Sequence, residues 1–134
     1  MVHVRWTAQP TLQAPVVIAA FEGWNDAGDA ASTAARYLVE RWDVDQVADV
    51  DPEEFYDFTS TRPDVRLDDE GLREILWPTT EIHAGTIPGG DQDVVVIIGT
   101  EPQLRWRTYC GELTQIALDQ SARLCLTLGA LLAL

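Results

Sequence analysis

The stretch AFEGWNDAGDAAS, residues 20–32, decides how the rest of the chain is read. Ahead of it stands PVVIAAF, residues 15–21, a continuous apolar and β-branched run of the kind that forms a strand covered on both faces. After it, Ala27, Ala31, Ala34, Leu38 and Trp42 recur at helical intervals. Asp26 is placed to cap that helix, with Asp29 three residues on. Small residues on that face let the helix lie close to a sheet. The acidic, glycine-punctuated corner is first of all a strand turning into a helix.

Working outward, QVADV (46–50) predicts a second strand and a β-α-β opening. VRL (65–67) and LREILW (72–77) predict a hairpin with Gly71 in its turn. A short extended piece falls at 81–84, and DVVVIIGT (93–100) is the clearest buried strand. A second helix is predicted over 105–120, with Trp106, Cys110, Leu113, Ile116 and Ala117 on one face. RLCLTLGALLAL (123–134) opens as another buried strand. Strands alternating with helices predict an α/β domain with a mainly parallel sheet, the hairpin being an insertion. The last strand has no following helix to cover it. The expectation is therefore a single α/β domain over 1–134, incomplete at its C-terminus and forming the front half of a longer protein.

Composition narrows the function. Asp and Glu total 22 against 9 basic residues, a formal net charge of −13. Such a surface repels nucleic acid and anionic lipid. All the basic residues are arginine. Without lysine there is neither a lysine-ended phosphate loop nor a Schiff-base amine. The N-terminal stretch lacks the apolar core of a secretory signal, and the C-terminal apolar run falls short of the roughly 20 residues that span a bilayer, so a cytoplasmic protein is expected. Cys110 and Cys125 sit in no ligand-spaced pair and are read as reduced, buried thiols. His3 and His83 have no metal-spaced partner, and nothing calls for a metal or another cofactor.

In open α/β sheets ligands settle at the carboxyl ends of parallel strands. If the strands are parallel, Glu22, Asn25, Asp26, Thr100, Glu101, Arg105, Arg107 and Thr127 gather on one edge. Two readings of that edge stand side by side. Its carboxylates serve as caps and ion-pair partners, or Glu22 and Glu101 form an acid–base pair with Arg105 holding one ionised. The enzyme reading requires Glu22 and Glu101 to share one solvent-reachable pocket. Phosphate is disfavoured, because Glu22, Asp26 and Asp29 already place negative charge at the helix start. No serine or cysteine stands in a nucleophile elbow, so no catalytic residue is assigned. Trp42 and Trp106 read as core. Trp24 and Trp77, with Phe55, Tyr56 and Phe58 of DPEEFYDF, could pack internally or anchor a partner.

The strings FEGWNDAGDAAS, DPEEFYDF with RP and a hairpin ending WP, EPQLRWRTYC and TLGALLA, in that order, resemble the bacterial branch of the proteasome assembly chaperone family, second-subunit type. The likeness runs from Pro15 to Ala133. It implies a three-layer α/β/α fold related to nucleoside phosphorylases and peptidyl hydrolases, homo-oligomers, and proteasome α-type subunits as partners held without a chemical step. Its motif residues here are Glu22, Gly23, Asn25, Asp26, Gly28, Glu101, Arg105 and Trp106, with no catalytic roles to carry over. The family extends well past residue 134, and LLAL lacks the hydrophobic-tyrosine-any pattern of proteasome-docking tails. A chaperone, an enzyme of phosphorylase- or hydrolase-like architecture, and an inactive self-associating protein are the three readings that remain.

Overall fold

The computed structural model describes residues 2–133, so the final leucine of the C-terminal apolar run lies outside it. The chain runs β1 (Val4–Trp6), β2 (Val16–Glu22), α1 (Ala30–Trp42), β3 (Asp45–Val50), β4 (Asp64–Leu67), β5 (Arg73–Leu76), β6 (Thr80–Thr86), β7 (Asp93–Thr100), α2 (Trp106–Asp119) and β8 (Leu124–Leu128). A single 3₁₀ turn, Ala27–Asp29, leads into α1. Six strands form one sheet in the order β1-β3-β6-β7-β2-β8, while β4 and β5 pair separately as the expected hairpin, with Gly71 at φ 81° in its turn.

The apolar runs occupy the middle of the sheet, as their composition requires. β7 is buried from Asp93 to Gly99 and pairs with β2 in parallel, Val16 opposite Val94 through Glu22 opposite Thr100. Side chains alternate across the pleat, so each strand feeds two cores. Ile18, Ala20, Val94, Val96 and Ile98 pack with Ala31 and Ala35 of α1. Val17, Ala19, Val95 and Ile97 pack on the other face with Tyr109 and Ile116 of α2. One helix therefore lies on each face.

Several expectations need correction. The sheet is mixed rather than mainly parallel. β2, β3, β7 and β8 run one way, but only β2–β7 and β2–β8 pair in parallel, because β6 inserts antiparallel between β3 and β7 and β1 adds antiparallel at the edge. The chain passes from β3 to β6 through the hairpin without a crossover helix, and the tight turn at 87–92 then reverses it into β7. The packed seam of α2 is Tyr109, Glu112 and Ile116, which leaves Trp106 50% exposed and Cys110 exposed instead of in the core. Cys125 is also exposed, because β8 is an edge strand with four of its five residues open to solvent. Both thiols are free. β1 has no counterpart among the elements the sequence predicts, because three residues flanked by polar chain carry too little periodicity to announce a strand.

Candidate functional site

The quoted motifs meet at the carboxyl ends of β2, β7 and β8. The Asp26 carboxylate accepts the N–H groups of Ala31 at 2.7 Å and Ser32 at 3.0 Å, and the Ser32 hydroxyl at 2.5 Å. Burial alone would raise its pKa, yet the Ser32 hydroxyl and these two amides hold it below the usual carboxylate range. Asp26 is the cap, and Asp29, at φ 56°, makes no side-chain cap bond. Gly28 supplies the positive φ of 63° within the turn.

The first and last motifs are laced together. Ala130 donates to the carbonyl of Asn25 at 2.9 Å, and Ala27 donates to the carbonyl of Ala130 at 3.0 Å. A Cβ on Gly129 would stand 2.4 Å from the Asn25 amide nitrogen, so the glycine makes room for that side chain. DPEEFYDF and EPQLRW are joined in the same way. Gln103 and Leu104 donate to the carbonyl of Phe55, and the Gln103 side chain accepts the N–H of Asp57. Motif residues distant in sequence are thus backbone partners of one another.

Phe55 and Tyr56 are 0% and 2% exposed, so the structure removes them from any docking surface and places them in the core against Tyr109. Tyr56 donates to the Thr100 carbonyl at 2.6 Å, and the Thr80 hydroxyl bridges Tyr56 and Tyr109 at 3.1 and 2.5 Å. Burial pushes both phenols upward, which keeps them neutral. Phe58 packs edge-on against Trp77 with ring centroids 4.9 Å apart, and Trp77 and Trp24 remain 50% and 79% exposed.

Glu22 and Glu101 do not share a pocket. Glu22 continues the β2 row that faces α1; it meets Arg36 at 3.3 Å, and Arg36 reaches Glu81 at 3.6 Å. These three side chains line a cleft of about 310 Å³ beneath Trp77 at the base of the hairpin. Glu101 lines a different cavity, of about 260 Å³, on the side of α2, with Phe21, Asn25, Trp106 and Tyr109. There its carboxylate accepts the Trp24 N–H at 3.3 Å, close over Gly23, where a Cβ would come within 2.4 Å of it. Arg105 belongs to neither cleft, since it pairs with Glu54 at 2.8 Å. Arg107, also expected at this edge, is exposed on α2.

A cluster of the buried His3 and Glu112 with the exposed Glu54 carries no signal in the sequence. Both oxygens of Glu112 engage His3, one accepting its backbone N–H at 2.9 Å and the other meeting Nδ1 at 2.6 Å, while Nε2 meets Glu54. Those residues lie 51 and 109 positions from His3, and no local pattern could have joined them. The hydrogen bond from Glu54 raises the His3 pKa most; burial opposes it, and Glu112 adds to the rise. No group of three or more metal-ligating side chains among the described residues is placed to hold an ion.

The fold has known counterparts. A PAC2 family protein from Streptomyces avermitilis is similar at 48% identity, covering 89% of this chain and 51% of its own, with a TM-score of 0.84. A proteasome-assembly chaperone homologue from Mycobacterium tuberculosis is similar at 45% identity over 88% of this chain and 50% of its own, with a TM-score of 0.82. PbaB, an archaeal proteasome activator from Pyrococcus furiosus, shares the fold at 14% identity, over 95% and 51% of the two chains, with a TM-score of 0.64. The chain spans about half the length of each of these structures. No curated protein matches it. The PAC2 family model matches residues 20–134. On that match, and on the two bacterial likenesses above 40% identity, the chain belongs to the PAC2 family.

Proposed function

We propose that this chain is a protein-binding module of a proteasome assembly chaperone, acting in the cytoplasm without a chemical step and holding α-type proteasome subunits as a homo-oligomer. The observation that carries this reading is the 45% identity, over 88% of the chain, to the mycobacterial proteasome-assembly chaperone homologue. The architecture is in keeping with it. One helix on each face of a single sheet reads as a three-layer α/β/α domain of the phosphorylase and hydrolase type, with a hairpin inserted.

The motif carboxylates support binding over catalysis. Asp26 is consumed as a helix cap, and Glu22 and Glu101 open to opposite faces of the sheet, so the acid–base pair the enzyme reading requires is not formed. The hairpin instead leaves Val65, Leu67, Leu72, Ile75 and Trp77 at least half exposed, and exposed apolar side chains clustered on one element favour an interface.

Affinity capture tests the reading. Tagged protein expressed in its own host should co-purify with α-type proteasome subunits, and deletion of the gene should slow ring assembly. Absence of those subunits from the eluate, together with normal assembly in the deletion strain, would reject it. Light scattering tests self-association independently: a monodisperse monomer rules out the homo-oligomer.

A further inference from the structure

The cavity beside Glu101 has a chemistry of its own. Phe21, Trp106, Tyr109, Leu113 and Leu128 wall it, and among the described residues Glu101 is the one charged side chain that lines it. The sole hydrogen bond of the Glu101 carboxylate among the described residues is the Trp24 N–H on Oε1, so Oε2 is free to accept. Asn25 and Thr127 add an amide and a hydroxyl residue to the same lining. One carboxylate with neutral acceptors and an indole face is a receptor for a cation carried on an apolar stem.

We infer that this cavity receives a single arginine side chain of a partner protein, its guanidinium on Glu101 and its stem against Trp106. Size favours one side chain over a free small molecule. At about 260 Å³ the cavity falls below the range of about 300–1,000 Å³ in which drug-sized ligands are enclosed. Its surroundings favour a docked chain. Trp24, whose N–H donates to Glu101, is 79% exposed. An apolar neighbour of the arginine would rest on it. Guanidinium is chosen over ammonium because its planar fork can satisfy Glu101 and Asn25 together while stacking on the indole. The net charge of −13 draws basic segments toward the surface and hastens the encounter.

The inference rests on the protein-binding reading for its choice of a chain as occupant, but its test contains no proteasome component. Cys110 is exposed and lines the cavity, so its alkylation by iodoacetamide, read by mass spectrometry on the full chain, reports occupancy. Acetylated and amidated Leu-Arg-Leu should slow that alkylation several-fold at saturation. The tripeptide with citrulline in place of arginine, equal in shape and uncharged, should leave the rate unchanged, and free agmatine should require a higher concentration than Leu-Arg-Leu. Glu101→Gln keeps the acceptor for Trp24 and should weaken the arginine tripeptide by about tenfold, the scale of one charge-assisted hydrogen bond. Trp106→Leu keeps an apolar wall, loses the π face, and should weaken it by a smaller factor. Equal protection by the citrulline peptide, undiminished binding to Glu101→Gln, agmatine as effective as the peptide, or no protection at all would each overturn the inference. Capture of proteasome subunits would stand or fall separately.

Discussion

At the scale of single residues, the two best-defined polar groups do structural work that can be measured. Asp26 closes the amide end of α1 with three hydrogen bonds, two from backbone N–H groups and one from the buried Ser32 hydroxyl. Asp26→Ala should cost about 2 kcal/mol, the upper end for a cap, because the hydroxyl is stranded along with the amides. Urea unfolding checks it; an unchanged midpoint would deny Asp26 the cap. The depressed carboxyl also ties this contribution to pH, present above its unfolded value and lost as pH falls through the lower folded one. His3 works in the opposite direction. Its raised pKa means that the protonated ring stabilises the fold in full below the ordinary value of 6.5 and stops doing so as pH rises through the folded value. The melting-temperature gap between the wild type and His3→Gln should therefore be widest near pH 6 and narrow toward alkaline pH. A gap that does not change with pH would mean that the ring is held neutral between Glu54 and Glu112.

At the scale of elements, burial separates two aromatic residues that look alike in DPEEFYDF and its hairpin. Phe55 is fully buried between His3 and Tyr109, whereas Trp77 is half exposed and touches Phe58 by its edge. Phe55→Ala should lower global stability by about 3–5 kcal/mol through the cavity it leaves. Trp77→Ala should cost about 1 kcal/mol, and the loss should be local: faster amide exchange in β4 and β5 with little change in β7. A two-stranded hairpin has little stability of its own, and the Trp77–Phe58 contact tethers its base. If exchange in the central strands rises as much as in the hairpin, the hairpin is part of the main cooperative unit instead. The sequence announced the central elements well, since β2 and β7 are long apolar runs and α1 follows a glycine-bearing turn with a capping acid. It was less informative about α2, where an apolar count favoured the Trp106–Cys110–Leu113 stripe. The seam instead runs through Glu112, a charged residue no hydrophobic pattern selects, whose burial depends on His3 arriving from the other end of the chain.

At the scale of the whole molecule, charge and edges govern behaviour. With 22 acidic residues against 9 arginines, self-repulsion opposes the compact state, and salt screens it. Raising sodium chloride from dilute buffer to about 0.5 M, where screening lengths shrink to a few ångströms, should raise the melting temperature by a few degrees. A fall would mean that local ion pairs such as Arg5–Asp49, at 2.7 Å, outweigh the global repulsion. The sheet leaves Leu124 and Leu126 of β8 46% and 43% exposed at one edge, the place where an apolar strand seeks cover.

The sequence by itself determined the α/β character, the central strands, the hairpin and the capping role of Asp26, because these depend on local periodicity and on neighbours a few residues apart. It also brought the motif strings to light, but not what they are for. Only the tertiary structure decided that β6 enters antiparallel, that Glu22 and Glu101 face opposite sides, that Phe55 and Tyr56 are core, and that His3 lies between Glu54 and Glu112. Each of these depends on which separate segments meet in the fold or on which side of a pleated strand a side chain leaves. Helical and strand periodicity within one segment encodes neither.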